Sequence, residues 1–141
     1  MARIIAIDYG TKRTGLAVTD PLGIIASPLT TVLSKDLVVF LKDYISKEEV
    51  SCFVIGMPKT LQNQDSENAI FVKQAIKLLT QQFPLHPIYT IDERFTSSMA
   101  MDAMLRGGMK KKDRRVKGNV DKISAAIILQ SFLEKNQSRR L

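Results

Sequence analysis

Between Arg3 and Val32 the chain carries three strand-length apolar runs in close succession: Arg3–Asp8, Thr14–Thr19 and Ile24–Val32. Only Tyr9-Gly10-Thr11-Lys12-Arg13 and Asp20-Pro21-Leu22-Gly23 separate them. Connections this short join antiparallel neighbours, because a parallel pair needs a crossover of roughly a dozen residues. A three-stranded antiparallel meander is therefore expected at the start of the chain. From Ser34 the apolar period changes. Ser34 is a candidate N-cap for a helix bearing Leu37, Phe40, Leu41, Tyr44 and Ile45 at helical spacing. Cys52–Ile55 is then a short buried-strand run closed by Gly56. Ser66 is placed to cap a long helix with the stripe Ile70, Ala75, Ile76, Leu79 and Phe83, stopped by Pro84 and Pro87.

Ile88–Ile91 reads as a fifth strand, and Thr96 opens a short Met-rich helix ending at Gly107-Gly108. A last helix is expected from an N-cap at Asn119, with Val120, Ile123, Ile127 and Gln130 or Ser131 along one face. The order is β-β-β-α-β-α-β-α-α. Strands four and five are each reached through a helix, which favours parallel pairing and a right-handed connection. The expected fold is α/β: a mixed five-stranded sheet with helices on both faces. Such sheets place ligands beyond the carboxyl ends of their parallel strands. A length of 141 residues suits a single domain over 1–141.

Charge is distributed unevenly. The chain carries a formal +7, yet residues 1–105 sum to −1 and residues 106–117 alone to +6. A near-neutral body with one concentrated basic segment points to a polyanionic partner. No apolar run approaches the roughly 20 residues of a membrane span, and the N-terminus has no secretory pattern. One Cys and one His exclude a disulfide and a zinc site of Cys/His type. Cys52 reads as a small buried hydrophobe, His86 as structural, and the setting as cytoplasmic.

The chemistry-bearing candidates are carboxylates at element ends. Asp8 closes a strand expected at the sheet centre, where a charge is costly unless paired or bound to a cation. Asp92-Glu93-Arg94 closes the fifth strand, and Asp121 lies in the first turn of the last helix. Hard oxygen ligands of this kind select Mg²⁺ or Mn²⁺. Plainer readings stand beside this one. Asp121 would complement a helix dipole, Asp92 and Arg94 would form a surface pair, and Asp8 would start a turn. Lys12 and Arg13 at the hairpin tip suit phosphate contact or simple solvation. The polar stretch Lys59–Asn68 is a candidate binding loop.

Four motifs occur in order: Asp8-Tyr9-Gly10-Thr11-Lys12-Arg13-Thr14-Gly15-Leu16-Ala17, Gly56-Met57-Pro58, Asp92-Glu93-Arg94-Phe95-Thr96-Ser97 and Val120-Asp121-Lys122-Ile123-Ser124-Ala125-Ala126. Through them essentially the whole chain resembles the YqgF (RuvX) family of RNase H-like proteins. That family is associated with Holliday-junction resolution and with maturation of the 5′ end of pre-16S ribosomal RNA. The resemblance implies an RNase H-like sheet and a catalytic, Mg²⁺- or Mn²⁺-binding cluster of Asp8, Glu93 and Asp121. It leaves Asp92 open as a fourth member, since adjacent residues of a regular strand face opposite sides. After Gly56-Met57-Pro58 the family usually carries a further Gly, where this chain reads Gln62-Asn63-Gln64-Asp65-Ser66-Glu67.

The leading expectation is a metal-dependent nuclease acting on structured RNA, with precursor ribosomal RNA as the substrate the resemblance implies. Lys12, Arg13, Arg94, Lys110, Lys111, Lys112, Arg114, Arg115 and Lys117 are the expected phosphate-backbone contacts, which position a nucleic acid without specifying its sequence. Alternatives are a resolvase of branched DNA, a non-catalytic RNA-binding factor of ribosome assembly, and an ATP-dependent phosphotransferase suggested by Asp8-Tyr9-Gly10-Thr11. A resolvase is expected to be a homodimer with paired sites, whereas a single-cut RNA nuclease need not dimerise, so monomer and homodimer both stay open.

Overall fold

The fold is taken from a computed structural model, which describes residues 2–57, 68–92 and 117–140, and their side chains except at 68, 92, 117–121 and 134–140. The elements are β1 (Arg3–Tyr9), β2 (Arg13–Thr19), β3 (Ala26–Leu33), a 3-10 turn (Ser34–Asp36), α1 (Leu37–Lys47), β4 (Val50–Met57), α2 (Asn68–Gln82), β5 (Ile88–Asp92) and α3 (Lys117–Arg140). The five strands form one sheet in the order β3-β2-β1-β4-β5. β1 pairs antiparallel with β2, and β2 with β3, so the meander is as expected. β1 pairs parallel with β4, and β4 with β5, each reached through a helical crossover. The Met-rich helix expected from Thr96 lies outside the described residues, as does the polar stretch after Pro58 up to Asn68.

Side-chain alternation divides the sheet into two unlike faces. Ile5, Ile7, Leu16, Val18, Phe53 and Ile55 pack with Leu37 and Leu41 of α1 and with Val72, Ala75 and Leu79 of α2. On the other face Ala6, Ala17, Val54 and Ile91 pack with Ala125, Ile128 and Leu129 of α3. We call these the thick and the thin face. β1 carries no solvent-facing row in its middle, since Ile5, Ala6 and Ile7 are all fully buried. That is the signature of a central strand covered on both sides.

Several local expectations are corrected by these contacts. Ile24 and Ile25 do not start β3 but stand exposed in the turn before it. The Asp20 carboxylate accepts hydrogen bonds from both of their backbone N–H groups, at 2.8 Å each, and so holds them out of the ladder. Gly23 meets the same turn with a positive φ of 71°, a region that favours glycine. Pro28 sits on β3, a sheet edge, next to a register shift. Pro is tolerated at such a position because no ladder N–H is required of it. On α2, Ile70 is exposed while Ala69 and Val72 are buried. The stripe Ala69, Val72, Ala75, Leu79 follows helical spacing as well as the expected one did, and the sheet selects it. On α3 the buried positions are Ser124, Ala125, Ile128, Leu129 and Leu133, whereas Gln130 is exposed. The buried face is therefore rotated by about one position from the stripe through Ile123 and Ile127. Asn119 lies inside α3, which begins at Lys117, and does not cap it.

Candidate functional site at the carboxyl edge of the sheet

β1, β4 and β5 run in one direction, so Tyr9, Met57 and Asp92 mark a common carboxyl edge. Asp8 lies one residue inside that edge, on the central strand, and is half-buried. By alternation it follows Ile4 and Ala6 on the thin face, the face of α3. Its antiparallel partner in β2 is Gly15. In β4, Ile7 pairs with Ile55, so the next register position beside Asp8 is Gly56, and Gly56 in turn pairs with Ile91. Neither strand neighbour of Asp8 contributes a side chain. A strand glycine often marks close approach of a ligand or another backbone. Here two of them flank the one carboxylate of the central strand.

The turn beyond Asp8 is held from the other side. Tyr9 pairs with Thr14, and Gly10, Thr11 and Lys12 span the gap between the strands. A Cβ on Gly10 would lie 2.6 Å from the Arg13 carbonyl oxygen, so the tightness of the turn depends on glycine there. Lys12 is exposed at its tip, and Arg13 is half-buried as the first residue of β2. Ser34 was expected to cap α1, but α1 has no side-chain cap, and the Ser34 hydroxyl donates instead to the Gly10 carbonyl. The Ser34 N–H donates to the Lys12 carbonyl at 2.9 Å, and the Thr14 and Ser34 hydroxyls are 2.8 Å apart. The sequence signal for this arrangement was weak, because a Ser before a helical period reads first as a cap.

α3 also reaches the edge strand β5 through an aromatic contact. Phe132 meets Tyr89, near the start of β5, with ring centroids 5.5 Å apart. Position 121 is eleven residues earlier, about 16 Å along the helix axis from that contact. The backbone at 121 lies in the second turn of α3.

Of the expected site residues, Asp8, Lys12 and Arg13 are described in full. Asp121 and Lys117 are placed by backbone alone, in α3. At position 92 the backbone pairs with Met57, whose side chain packs on the thick face. Glu93, Arg94, Lys110, Lys111, Lys112, Arg114 and Arg115 lie outside the described residues, as does the basic segment up to 116. Among the described residues no group of three or more His, Cys, Asp or Glu side chains is gathered for a metal.

Two residues set aside on sequence grounds stay aside. Cys52 is buried, and burial pushes its thiol pKa up, away from reactivity. His86 packs against Phe53 and Phe83, at 5.5 and 6.2 Å between ring centroids, next to the start of β5 and so at the opposite edge from Asp8. No helix among the described residues is long and apolar enough to cross a membrane.

Comparison with known proteins converges on one group. Residues 2–135 match the family model described as RuvX, Holliday junction resolvase. A protein of Amoebophilus asiaticus named "Putative pre-16S rRNA nuclease" is 53% identical over 133 residues, covering 94% of each chain. A protein of the same name from Phocaeicola vulgatus is 52% identical over 137 residues, covering 97% of this chain and 99% of that one. Among solved structures, T. thermophilus RuvC in complex with a Holliday junction substrate aligns over 96% of both chains, at 17% identity and a TM-score of 0.57. That likeness is one of fold, and it agrees with the expected RNase H-like sheet.

Proposed function

This chain belongs to the RuvX family, and from that premise we propose that it is a single-domain, metal-dependent nuclease hydrolysing phosphodiester bonds in structured RNA. Its proposed task is maturation of the 5′ end of pre-16S ribosomal RNA, as the names of its relatives suggest. The observation that carries the reading is the place of Asp8. It is a half-buried carboxylate at the carboxyl end of the central strand, flanked in register by Gly15 and Gly56.

The donor chemistry fits a hard divalent cation. Asp8, Glu93 and Asp121 are the residues proposed to hold Mg²⁺ or Mn²⁺, all through carboxylate oxygens. When bound, such an ion polarises the phosphodiester and lowers the pKa of a water. The remaining work falls to the chain. Asp8 orients the centre from a strand buried on both sides of it, so its position is set by the core rather than by a loop. Three carboxylates repel a polyanion. Lys12 and Arg13 in the β1–β2 turn, with Arg94, Lys110, Lys111, Lys112, Arg114, Arg115 and Lys117, are proposed to offset that repulsion by holding phosphates. Backbone contacts of this type favour recognition by shape.

The family description makes a four-way DNA junction the alternative substrate. The two readings separate when purified protein is given labelled precursor 16S RNA and a labelled four-way junction side by side, across a Mg²⁺ titration. Mg²⁺-dependent cleavage near the mature 5′ end of the RNA, with the junction left intact, is expected. Symmetric cuts in the junction with the RNA intact would replace the proposal with the resolvase. Cleavage of neither would favour a non-catalytic RNA-binding role.

A further inference from the structure

We propose that Ser34 is a positioning residue for nucleic-acid binding, acting through the Lys12 turn. This deepens the nuclease reading above and rests on it for the ligand. Ser34 lies where β3 gives way to the 3-10 turn before α1, twenty-two residues from Lys12 in the chain, yet it grips the β1–β2 turn at both ends. Its N–H donates to the carbonyl of Lys12, and its hydroxyl donates to the carbonyl of Gly10. A serine hydroxyl has one hydrogen, and this bond uses it. The Ser34 oxygen therefore accepts from the Thr14 hydroxyl 2.8 Å away, giving a chain Thr14 to Ser34 to Gly10. Thr14 is fully buried, so its hydroxyl needs that acceptor.

Turns are usually the mobile part of a hairpin. This one is clamped at its backbone, with the side chains of Thr11 and Lys12 exposed at the tip, Lys12 carrying the only charge of the two. The same turn follows Asp8 by two residues, so fixing its backbone fixes where the Lys12 side chain leaves the chain at the carboxyl edge and limits what its ammonium can reach. A phosphate contact made by a pre-positioned lysine loses less freedom on binding than one made from a loose loop.

The test measures binding of a fluorescein-labelled stem-loop from the 5′ end of precursor 16S RNA, in EDTA, by anisotropy over a range of salt. Lys12→Ala is expected to weaken binding several-fold and to lower the salt slope by about 0.7 to 0.9, one phosphate contact. Ser34→Ala is expected to weaken binding about 3-fold or more, with the folded circular-dichroism spectrum kept, and to have no further effect in a Lys12→Ala background. Ser34→Thr, which keeps the hydroxyl, is expected to restore binding. Thr14→Val, similar in shape and without the donor, carries the comparison if Ser34→Ala does not fold. Equal weakening by Ser34→Ala with and without Lys12 would overturn the proposal, as would no weakening where Lys12→Ala has an effect. Amide exchange at residues 10–13 separates the clamp from its ligand. If exchange there rises in Ser34→Ala but the wild-type protein binds no RNA, the clamp stands and the nuclease reading, with this role for Ser34, falls.

Discussion

The two faces of the sheet share the same strands yet are built from unlike residues. On β1 the thick face takes Ile5 and Ile7, while the thin face takes Ala6 and Asp8. On β2 the division is Leu16 and Val18 against Gly15 and Ala17, and on β4 it is Phe53 and Ile55 against Val54 and Gly56. Large side chains on one side bury the area that stabilises the domain. Small ones on the other let α3 lie close and leave the strand neighbours of Asp8 without side chains. The two-residue period of a strand thus puts the large apolar side chains on one face and Asp8, between its glycine neighbours, on the other. A one-residue slip in register would exchange the two sets.

Substitutions break this comparison in graded ways. The largest stability loss is expected from the thick face. Phe53 is fully buried and touches the Phe83 ring at 5.4 Å between centroids, so Phe53→Ala should cost about 3–5 kcal/mol in urea unfolding. On the thin face the damaging change is enlargement. Ala17→Leu should destabilise by about 1–3 kcal/mol through overpacking against α3, where the same change on a spacious face would be mild. Smaller still is the Asp20 turn, whose carboxyl is held below its ordinary range by the backbone N–H bonds of Ile25 and Ile24. A depressed folded-state value means the contribution is present above the unfolded value and lost as pH falls through the folded one. Asp20→Ala should therefore narrow the stability difference between pH 6 and acid, as read by melting temperature. Ile70→Gln, on the exposed side of α2, should stay within about 0.5 kcal/mol of wild type.

The meander was legible because turn length alone forbids parallel pairing, and the central place of β1 because Ile4-Ile5-Ala6-Ile7 has no polar alternation. Helix faces were less legible. α2 offered two helical stripes, through Ile70 or through Ala69 and Val72, and only the sheet beneath decides between them. α3 contains apolar residues at so many positions from Ile123 to Leu133 that periodicity alone left its buried face one position out. At the site, Asp8 was readable as a charge at a strand end. Its glycine neighbours were not, because Gly15 and Gly56 come beside it only through register. Ser34 was misread for a related reason: its partners Gly10, Lys12 and Thr14 are brought to it by β3 closing on β2.

Asp8 is proposed to serve the chemistry rather than the packing, because it stands half-buried at the end of its strand, beyond the buried Ala6. Single-turnover cleavage of labelled precursor 16S RNA by Asp8→Asn, at saturating Mg²⁺ and with the melting temperature of the same preparation in hand, tests it most directly. The expected rate is at least about 1,000-fold below wild type, a loss of about 4 kcal/mol of transition-state stabilisation, in a protein that melts no lower. Cleavage by Asp8→Asn within a few-fold of wild type would contradict it.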